Sequence, residues 1–339
     1  MDPQKAKTTS AIAPMISILL PVYNAERYLE KTLQSLLAQS YAKFELIALN
    51  DGSKDGSLAI LEKYAKQDNR IKIVSHPNMG LVATLNKGLE LAQCELIARA
   101  DADDIYFTDR LEHQYRRFQE DPTLVLLGAR SIKIDEHDRI LFKENQPIEK
   151  ETILESLSAG FGGIIPHPVS MFKRTEAIEV GAYRPEAKHC EDLDLWLRLA
   201  EKGSVTNIPA HLVYYRTQSK SVSAVHATEQ AANARYFATE WQRKNKRECP
   251  PHTFWSHSDE ERRDHIWYRA RTSYAQGLYA SAYYQAIEGL KTTPLTMGRL
   301  KTTLVFLVRF LRNPACAKAT PFERSAYNFD DAPKLHSTK

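Results

Sequence analysis

Only four cysteines occur in 339 residues, Cys94, Cys190, Cys249 and Cys316. They lie far apart, with no C-x-x-C pair and no metal-ligand spacing, which excludes a disulfide framework and fits a reducing cytosol. No apolar run approaches the roughly 20 residues that a bilayer-spanning helix needs. MISILLPVY, from Met15, is short, ends in Pro-Val-Tyr-Asn and has no small-residue cleavage site after it, so it reads as a strand rather than a leader. Glycine-rich phosphate loops are missing too. Neither G-x-x-x-x-G-K-[ST] nor G-x-G-x-x-G occurs, so phosphate-loop and dinucleotide readings lose their support. There is no low-complexity segment.

What is present is ample core material, 43% hydrophobic residues, for one large domain with appendages or for two domains. The net charge of +4 is uneven. Residues 1–224 hold 28 basic and 31 acidic side chains, and residues 225–339 hold 18 and 11. The basic end suits an anionic membrane face or a solvated helical surface. It lacks any recognisable nucleic-acid module.

The first hundred residues alternate. Strand runs at 16–23, 44–50, 70–76 and 95–100 are separated by helical spacing at 25–39, 55–67 and 80–93, with Asp55 a candidate N-cap. This pattern predicts a parallel sheet covered on both faces, with ligands beyond the carboxyl ends of the strands. Further on, the spacing predicts a helix at 109–121, a strand at 124–134, a helix at 149–158, and a loop then strand at 166–174. A helix over 189–203 is closed by Gly203, and two short strands, SVTNIP and HLVYYR, follow. Beyond Val225 the chain reads as helical, with a hairpin over 269–294.

Each of the first four strands ends in a polar cluster. Pro21, Tyr23 and Asn24 follow the first, and Asn50, Asp51, Gly52, Ser53 and Asp55 the second. His76, Asn78 and Gly80 follow the third. After the fourth, ELIARADADD (95–104) places Asp101, Asp103 and Asp104 within four positions. Like charges so close are destabilising unless a cation lies between them. A solvated acidic turn is the plain alternative. Placement beside the other clusters favours a hard divalent cation, Mg²⁺ or Mn²⁺, bridging protein to a diphosphate. Tyr23 is then placed to stack on a base, and Asp51 to accept from its ring N–H or a ribose hydroxyl.

Six segments in order, PVYN (21–24), NDGSKDGS (50–57), HPNMGLVATLNKG (76–88), ARADADD (98–104), HPVSMFKR (167–174) and EDLDLWLRL (191–199), make the chain resemble a family 2 inverting glycosyltransferase of GT-A fold over about residues 16–223. The resemblance implies an α/β fold of GT-A type, with a Rossmann-like, mostly parallel sheet flanked by helices and here an α-helical C-terminal extension. It also implies a nucleotide-diphosphate sugar donor, uridine-linked by family frequency, a divalent metal and inversion at the anomeric carbon. Pro21, Tyr23, Asp51 and Asp101 match donor-nucleotide positions. Asp103 matches the metal ligand, with Asp101 or Asp104 as further candidates. Asp192 matches the catalytic base, although Glu191 and Asp192 also complement a helix N-terminus. Asn78, Gly80, Arg99, His167, Glu191, Arg216 and Lys220 are candidate donor or acceptor contacts, with the glycines read as allowing close backbone approach and the asparagines open to a capping role. The family's R-x-H-x-x-S-x-S loop reads here Arg216-Thr217-Gln218-Ser219-Lys220-Ser221-Val222-Ser223, with Gln218 in the histidine's place. The expected acceptor is a saccharide or lipid-linked saccharide for cell-surface polysaccharide or glycolipid synthesis.

The expected organisation is a disordered stretch at 1–14 and a GT-A domain at 15–224, divided into a nucleotide-binding half (15–104) and an acceptor half (105–224). A helical region at 225–315 and a flexible tail at 316–339 follow. Over residues 299–313, Leu300, Leu304, Leu307, Val308 and Leu311 share one helical face, flanked by Arg299, Lys301, Arg309 and Arg312. This suits either packing on the neighbouring hairpin or peripheral contact with an anionic membrane from the cytoplasmic side. A sugar-phosphate nucleotidyltransferase is the competing enzyme, but PVYNAERYLEK lacks its glycine-rich loop. A non-catalytic binding module would show no metal-dependent turnover.

Overall fold

A computed structural model describes residues 15–218, 226–247, 279–292 and 297–312. Strands β1 (Ile16–Val22), β2 (Phe44–Asp51), β3 (Ile71–His76) and β4 (Leu96–Arg99) pair in parallel in the order β3-β2-β1-β4. Helices α1 (Glu26–Leu37), α2 (Ser57–Ala65) and α3 (Leu81–Leu91) make the crossovers. Successive side chains of a strand point to opposite faces. Leu19, Ile47, Leu49 and Ile97 therefore enter one core, while Ile18, Leu20, Leu46, Ala48 and Ala98 enter the other. Burial on both faces is what made these strands legible as unbroken apolar runs.

The second half extends the same sheet with mixed directions. β8 (Met171–Lys173) runs antiparallel to β4 and to β6 (Leu124–Ile134). β9 (Ser204–Arg216) lies parallel to β6, β5 (Ile105–Tyr106) pairs with β9, and β7 (Ile140–Lys143) forms a hairpin with β6. The full order is β3-β2-β1-β4-β8-β6-β9-β5. Helices α4 (Arg110–Glu120), α5 (Lys150–Ser158), α6 (Arg174–Glu179), α7 (Glu191–Leu199) and α8 (Ala227–Lys244) flank it. α8 places Ala234, Phe237, Ala238 and Trp241 in the same core as Trp196 and Leu193 of α7 and Ile153 of α5. α9 (Tyr279–Thr292) and α10 (Met297–Arg312) pair with each other.

Several local expectations change. SVTNIP and HLVYYR form one strand, whose register against β6 steps from Ile208 to His211. Pro209 and Ala210 are thus left as the bulge that Pro requires inside a sheet. α7 ends at Leu199, short of Gly203. A side chain at Gly203 would strike the Thr123 carbonyl and Val125, so this glycine serves a close approach to β6 rather than a helix cap. Asp55 precedes the N-cap of α2 and accepts from both Ser57 N and Glu26 N at 3.0 Å. The Glu26 carboxylate accepts from Gly56 N in return, so the starts of α1 and α2 are capped reciprocally.

Of the expected 269–294 hairpin, 279–292 is helix, and residues 269–278 and 293–294 lie outside the described residues, as do 1–14 and 313–339. The hairpin seen is α9 against α10, closed by Ala282, Ala286 and Phe306, with Tyr283 stacked on Phe310. Leu304 and Leu311 are 60% and 69% exposed, so the stripe faces outward and its Phe306 edge makes the contact. No helix of the described residues is long and apolar enough to cross a membrane.

Candidate active site

The parallel pairing of β1 to β4 brings all four strand-end clusters to one edge. Tyr23, just past β1, is 51% exposed, and Pro21 is half-buried. Asp51 closes β2. Its Oδ1 accepts from Met79 N at 2.7 Å, and its Oδ2 from Gly80 N at 3.1 Å and Asn78 Nδ2 at 3.2 Å. Asp51 therefore pins the 78–80 loop, with both lone pairs of Oδ2 taken and capacity left on Oδ1. Asn78 acts in this clamp. Gly80 is needed for its φ of +85°, since open space surrounds the place a Cβ would take. Close approach applies at Gly88, where a Cβ would lie 2.8 Å from Leu49 and 3.0 Å from Leu19. Asn86 clamps the Tyr183 backbone, donating to its carbonyl and accepting from its N–H.

The Asp101–Asp104 turn is held from below. The Thr32 hydroxyl lies 2.9 Å from the Ala102 carbonyl and 2.7 Å from that of Asp104, and the Tyr106 hydroxyl accepts from Asp101 N at 2.6 Å. Asp104 is fully buried. Its Oδ1 accepts from Arg216 N at 2.7 Å, while its Oδ2 has no partner among the described residues. Of the two readings open to Asp104, metal binding and orienting the loop, this contact supports the second. Asp101 accepts from Arg99 Nη2 at 2.6 Å and keeps 32% of its side chain exposed. Asp103 Oδ2 accepts from Gln218 Nε2 at 2.6 Å, so the residue in the histidine's place reaches the acid cluster.

Burial, then the Asp101 charge, pushes the Asp103 carboxyl up to about 6. Burial, then Asp103 and Asp101, holds Asp104 well above the usual carboxylate range. The crowded carboxylates of Asp101 and Asp103, the first still 32% exposed, are the oxygen donor set that a hard divalent cation takes.

The second acid cluster opens α7. Asp192 Oδ1 accepts from Leu193 N at 2.7 Å, so the helix-complementing role is present. A Cβ on Gly162 would come within 3.3 Å of the same oxygen, which puts the 160–163 loop against this helix start. Burial first, and then the Asp192 charge, pushes Glu191 up to about 7; Asp192 is raised as well, chiefly by burial. The Arg99 and Asp101 charges act on both residues, so the two acid clusters share one neighbourhood.

Arg99 is buried and bonded to Asp101, which makes it a strut rather than a ligand contact. Arg216 is also corrected. Its side chain is fully buried, donates to the Asp103 and Asp135 carbonyls at 2.7 Å, pairs with Asp138 and lies over the Tyr28 ring. His167 is packed between Tyr183 and Trp196, with Nε2 2.9 Å from the Tyr183 hydroxyl. Burial holds it well below the usual histidine range, so it is a neutral core residue, not a substrate contact. Lys220 lies outside the described residues.

Asp194 is buried and paired with both Arg184 and Arg198. Thr32, Tyr106 and Tyr183 escaped the sequence, as did Arg110, which donates to the Arg99 and Ser170 carbonyls. One signal existed: an arginine inside the strand run ELIARA is costly to bury unless paired.

The raised Glu191 has a consequence for stability. Its folded pKa of about 7 lies above that of an unfolded glutamate, so stability is fully present below the unfolded value and is lost as pH rises through about 7. Glu191→Gln is expected to raise the melting temperature at pH 8 and to leave it unchanged near pH 4. A variant that melts no higher than the parent at pH 8 would remove the repulsion argument.

A family profile described as Glycosyl transferase family 2 matches residues 17–177. The amylovoran biosynthesis glycosyltransferase AmsE of Erwinia amylovora is 32% identical over 213 residues, covering 62% of this chain and 79% of that protein. Among solved structures, S. aureus TarS 1-349 in complex with UDP superposes with a TM-score of 0.51 at 19% identity, covering 86% of this chain and 88% of that one. The mannosyltransferase PcManGT from Pyrobaculum calidifontis, in complex with GDP-Man and Mn²⁺, gives 0.52 at 14% identity, covering 90% and 88%. These two likenesses concern the fold. The family match spans the strand ends that carry Asp51, Asp101 and Asp103, and a relative at 32% identity is matched over most of its own length; the chain belongs to glycosyl transferase family 2 and is a glycosyltransferase of GT-A fold.

Proposed function

We propose that the protein is a metal-dependent inverting glycosyltransferase that takes a UDP-sugar and passes the sugar to a saccharide or lipid-linked saccharide acceptor in polysaccharide synthesis. The observation that carries this is the meeting of two acid clusters around Arg99 at the carboxyl edge of the parallel strands. Residues 15–104 form the donor half in this scheme and 105–224 the acceptor half. Tyr23 and Pro21 flank the base, and Asp51 and Asp101 take donor N–H or ribose hydroxyl groups.

Asp103, with Asp101, would hold Mg²⁺ or Mn²⁺, which supplies charge neutralisation on the departing diphosphate. Arg99 fixes the Asp101 carboxylate. Asp192 accepts the acceptor hydroxyl proton at its carboxylate oxygen, from the face opposite the leaving group. Glu191 keeps a second carboxyl beside it, which raises the basicity of the pair.

Support for the donor class comes from relatives of the same fold, one solved with UDP and one with GDP-Man and Mn²⁺. Support for polysaccharide synthesis comes from the amylovoran enzyme. Calorimetric titration with UDP, GDP and TDP in Mg²⁺ tests the base. UDP is expected to bind tightest, and Tyr23→Ala to weaken it about tenfold by loss of stacking. Tighter GDP or TDP would overturn the uridine assignment, and no nucleotide binding would overturn the donor site.

The acceptor class bears on location. Leu300, Leu304, Val305, Val308 and Leu311 of α10 are exposed, with Lys301 and Arg309 exposed on the same helix. An apolar face with basic residues suits an in-plane helix at the cytoplasmic surface of an anionic membrane, where each basic residue contributes about 1 kcal/mol. The protein is expected to co-sediment with anionic liposomes at low salt. High salt, or Leu304→Glu with Leu311→Glu, should release it without loss of donor hydrolysis. A protein that stays in the supernatant at low salt would overturn the membrane assignment.

A further inference from the structure

His189, His226 and Glu229 form a cluster that sugar transfer does not use. His189 lies two residues before Glu191, and the other two sit at the start of α8. The two imidazole rings stack 4.3 Å apart with an 11° tilt. Both present a nitrogen to one carboxylate oxygen. His189 Nε2 is 3.5 Å and His226 Nδ1 3.7 Å from Glu229 Oε2. The other oxygen, Oε1, accepts from Lys188 Nζ at 3.1 Å. His189 Nε2 is buried, with no hydrogen-bond partner among the described residues.

The surroundings hold this arrangement in place. His189 has a φ of +64°, a left-handed conformation uncommon for non-glycine residues, though histidine is among those that adopt it. Gln230 Nε2 donates to the His189 carbonyl at 2.7 Å, and Asn233 Nδ2 to that of Lys188 at 2.9 Å. The first turns of α8 therefore grip the backbone leading into α7.

We propose that His189, His226 and Glu229 are a binding site for a borderline divalent transition metal, of which zinc is the type, clipping the start of α8 to the entry of α7. Two imidazoles and one carboxylate are the donor set that such ions prefer, whereas magnesium prefers oxygen alone. The three donor atoms lie within 4.8 Å of one another. Four-coordinate geometry at ordinary zinc bond lengths needs about 3.4 Å between ligand atoms. The two Glu229 spacings already meet this, and rotation of the half-exposed His226 ring supplies the rest. Neutral imidazole nitrogen is the coordinating form, and His189 Nε2 has no competing hydrogen-bond partner among the described residues. The pairing with Lys188 keeps Glu229 ionised. A water takes the fourth position. This clip differs from the oxygen-rich cluster at Asp101 and Asp103 in ligand type and shares no residue with it.

The test uses untagged, full-length protein carrying Asp103→Asn, so that the acidic cluster does not compete, and cobalt as the probe. One equivalent of Co²⁺ is expected to bind with the intense visible absorption of four-coordinate cobalt. Zn²⁺ should displace it and a hundredfold excess of Mg²⁺ should not. His226→Ala and Glu229→Gln should each lower the affinity by about 100-fold or more. Both side chains are half-exposed, so melting curves in EDTA should match the parent and show the variants folded. Absence of cobalt binding, a weak octahedral spectrum that Mg²⁺ removes, or unchanged affinity in both variants would each overturn the site. Donor hydrolysis in Mg²⁺ by His226→Ala with Asp103 intact is expected to persist, which separates failure of this site from failure of the transferase proposal.

Discussion

Asp192→Asn is expected to lower turnover by about 10³-fold while UDP affinity in calorimetry stays within about twofold. The amide oxygen can still accept from Leu193 N, as Asp192 Oδ1 does at 2.7 Å, so the start of α7 keeps its cap and the fold survives. What the amide lacks is a lone pair basic enough to take a proton from an attacking hydroxyl. Glu191 is one position away on the helix, and side chains at adjacent helical positions project about 100° apart, so it does not stand in. Turnover should therefore fall while the donor, bound through the strand ends, stays in place. Loss of UDP affinity in parallel with turnover would mean that Asp192 touches the nucleotide and that the base lies elsewhere.

Asp103→Asn is expected to reduce turnover by at least about 10³-fold, because a neutral amide is a poor partner for a hard cation beside a diphosphate. The same substitution should act on stability with the opposite sign. The Asp103 folded pKa, about 6, is raised above that of an unfolded aspartate by burial and by Asp101. Its stability contribution is fully present below the unfolded value and is lost as pH rises through about 6. In EDTA at pH 8 the variant should melt higher than the parent, and below about pH 4 the two should coincide. Mg²⁺ should then raise the melting temperature of the parent and leave the variant unmoved. A parent protein indifferent to Mg²⁺ and Mn²⁺ would contradict the cation site, whatever the variant's activity.

The donor half was legible in the sequence because its physics is local. Strands buried on both faces write themselves as apolar runs, and the polar clusters mark where each run meets the cleft. Asp103 stood out because acids packed that closely need a reason, whereas Asp192 stood out only through the family resemblance of EDLDLWLRL. What was not legible depends on contacts far apart in the chain. Arg216 reads as a cation ready for phosphate, but its guanidinium is consumed by carbonyls of Asp103 and Asp135 and by Asp138. His167 reads equally as a substrate contact or a packed side chain, and only Tyr183 and Trp196, 16 and 29 positions later, favour the second by enclosing it. SVTNIP and HLVYYR looked like two strands because proline interrupts them, and only the pairing with β6 shows a single strand carrying a bulge. Gly203 looked like a helix cap because sequence spacing cannot show the Thr123 backbone pressed against it.

The most direct test of the central claim is release of nucleoside diphosphate from a panel of nucleotide sugars by the purified full-length protein, with Mg²⁺ or Mn²⁺ and again in EDTA. The account predicts release from a UDP-sugar that EDTA abolishes and that Asp103→Asn does not support. Release undiminished in EDTA, or none from any donor with either metal, would contradict it.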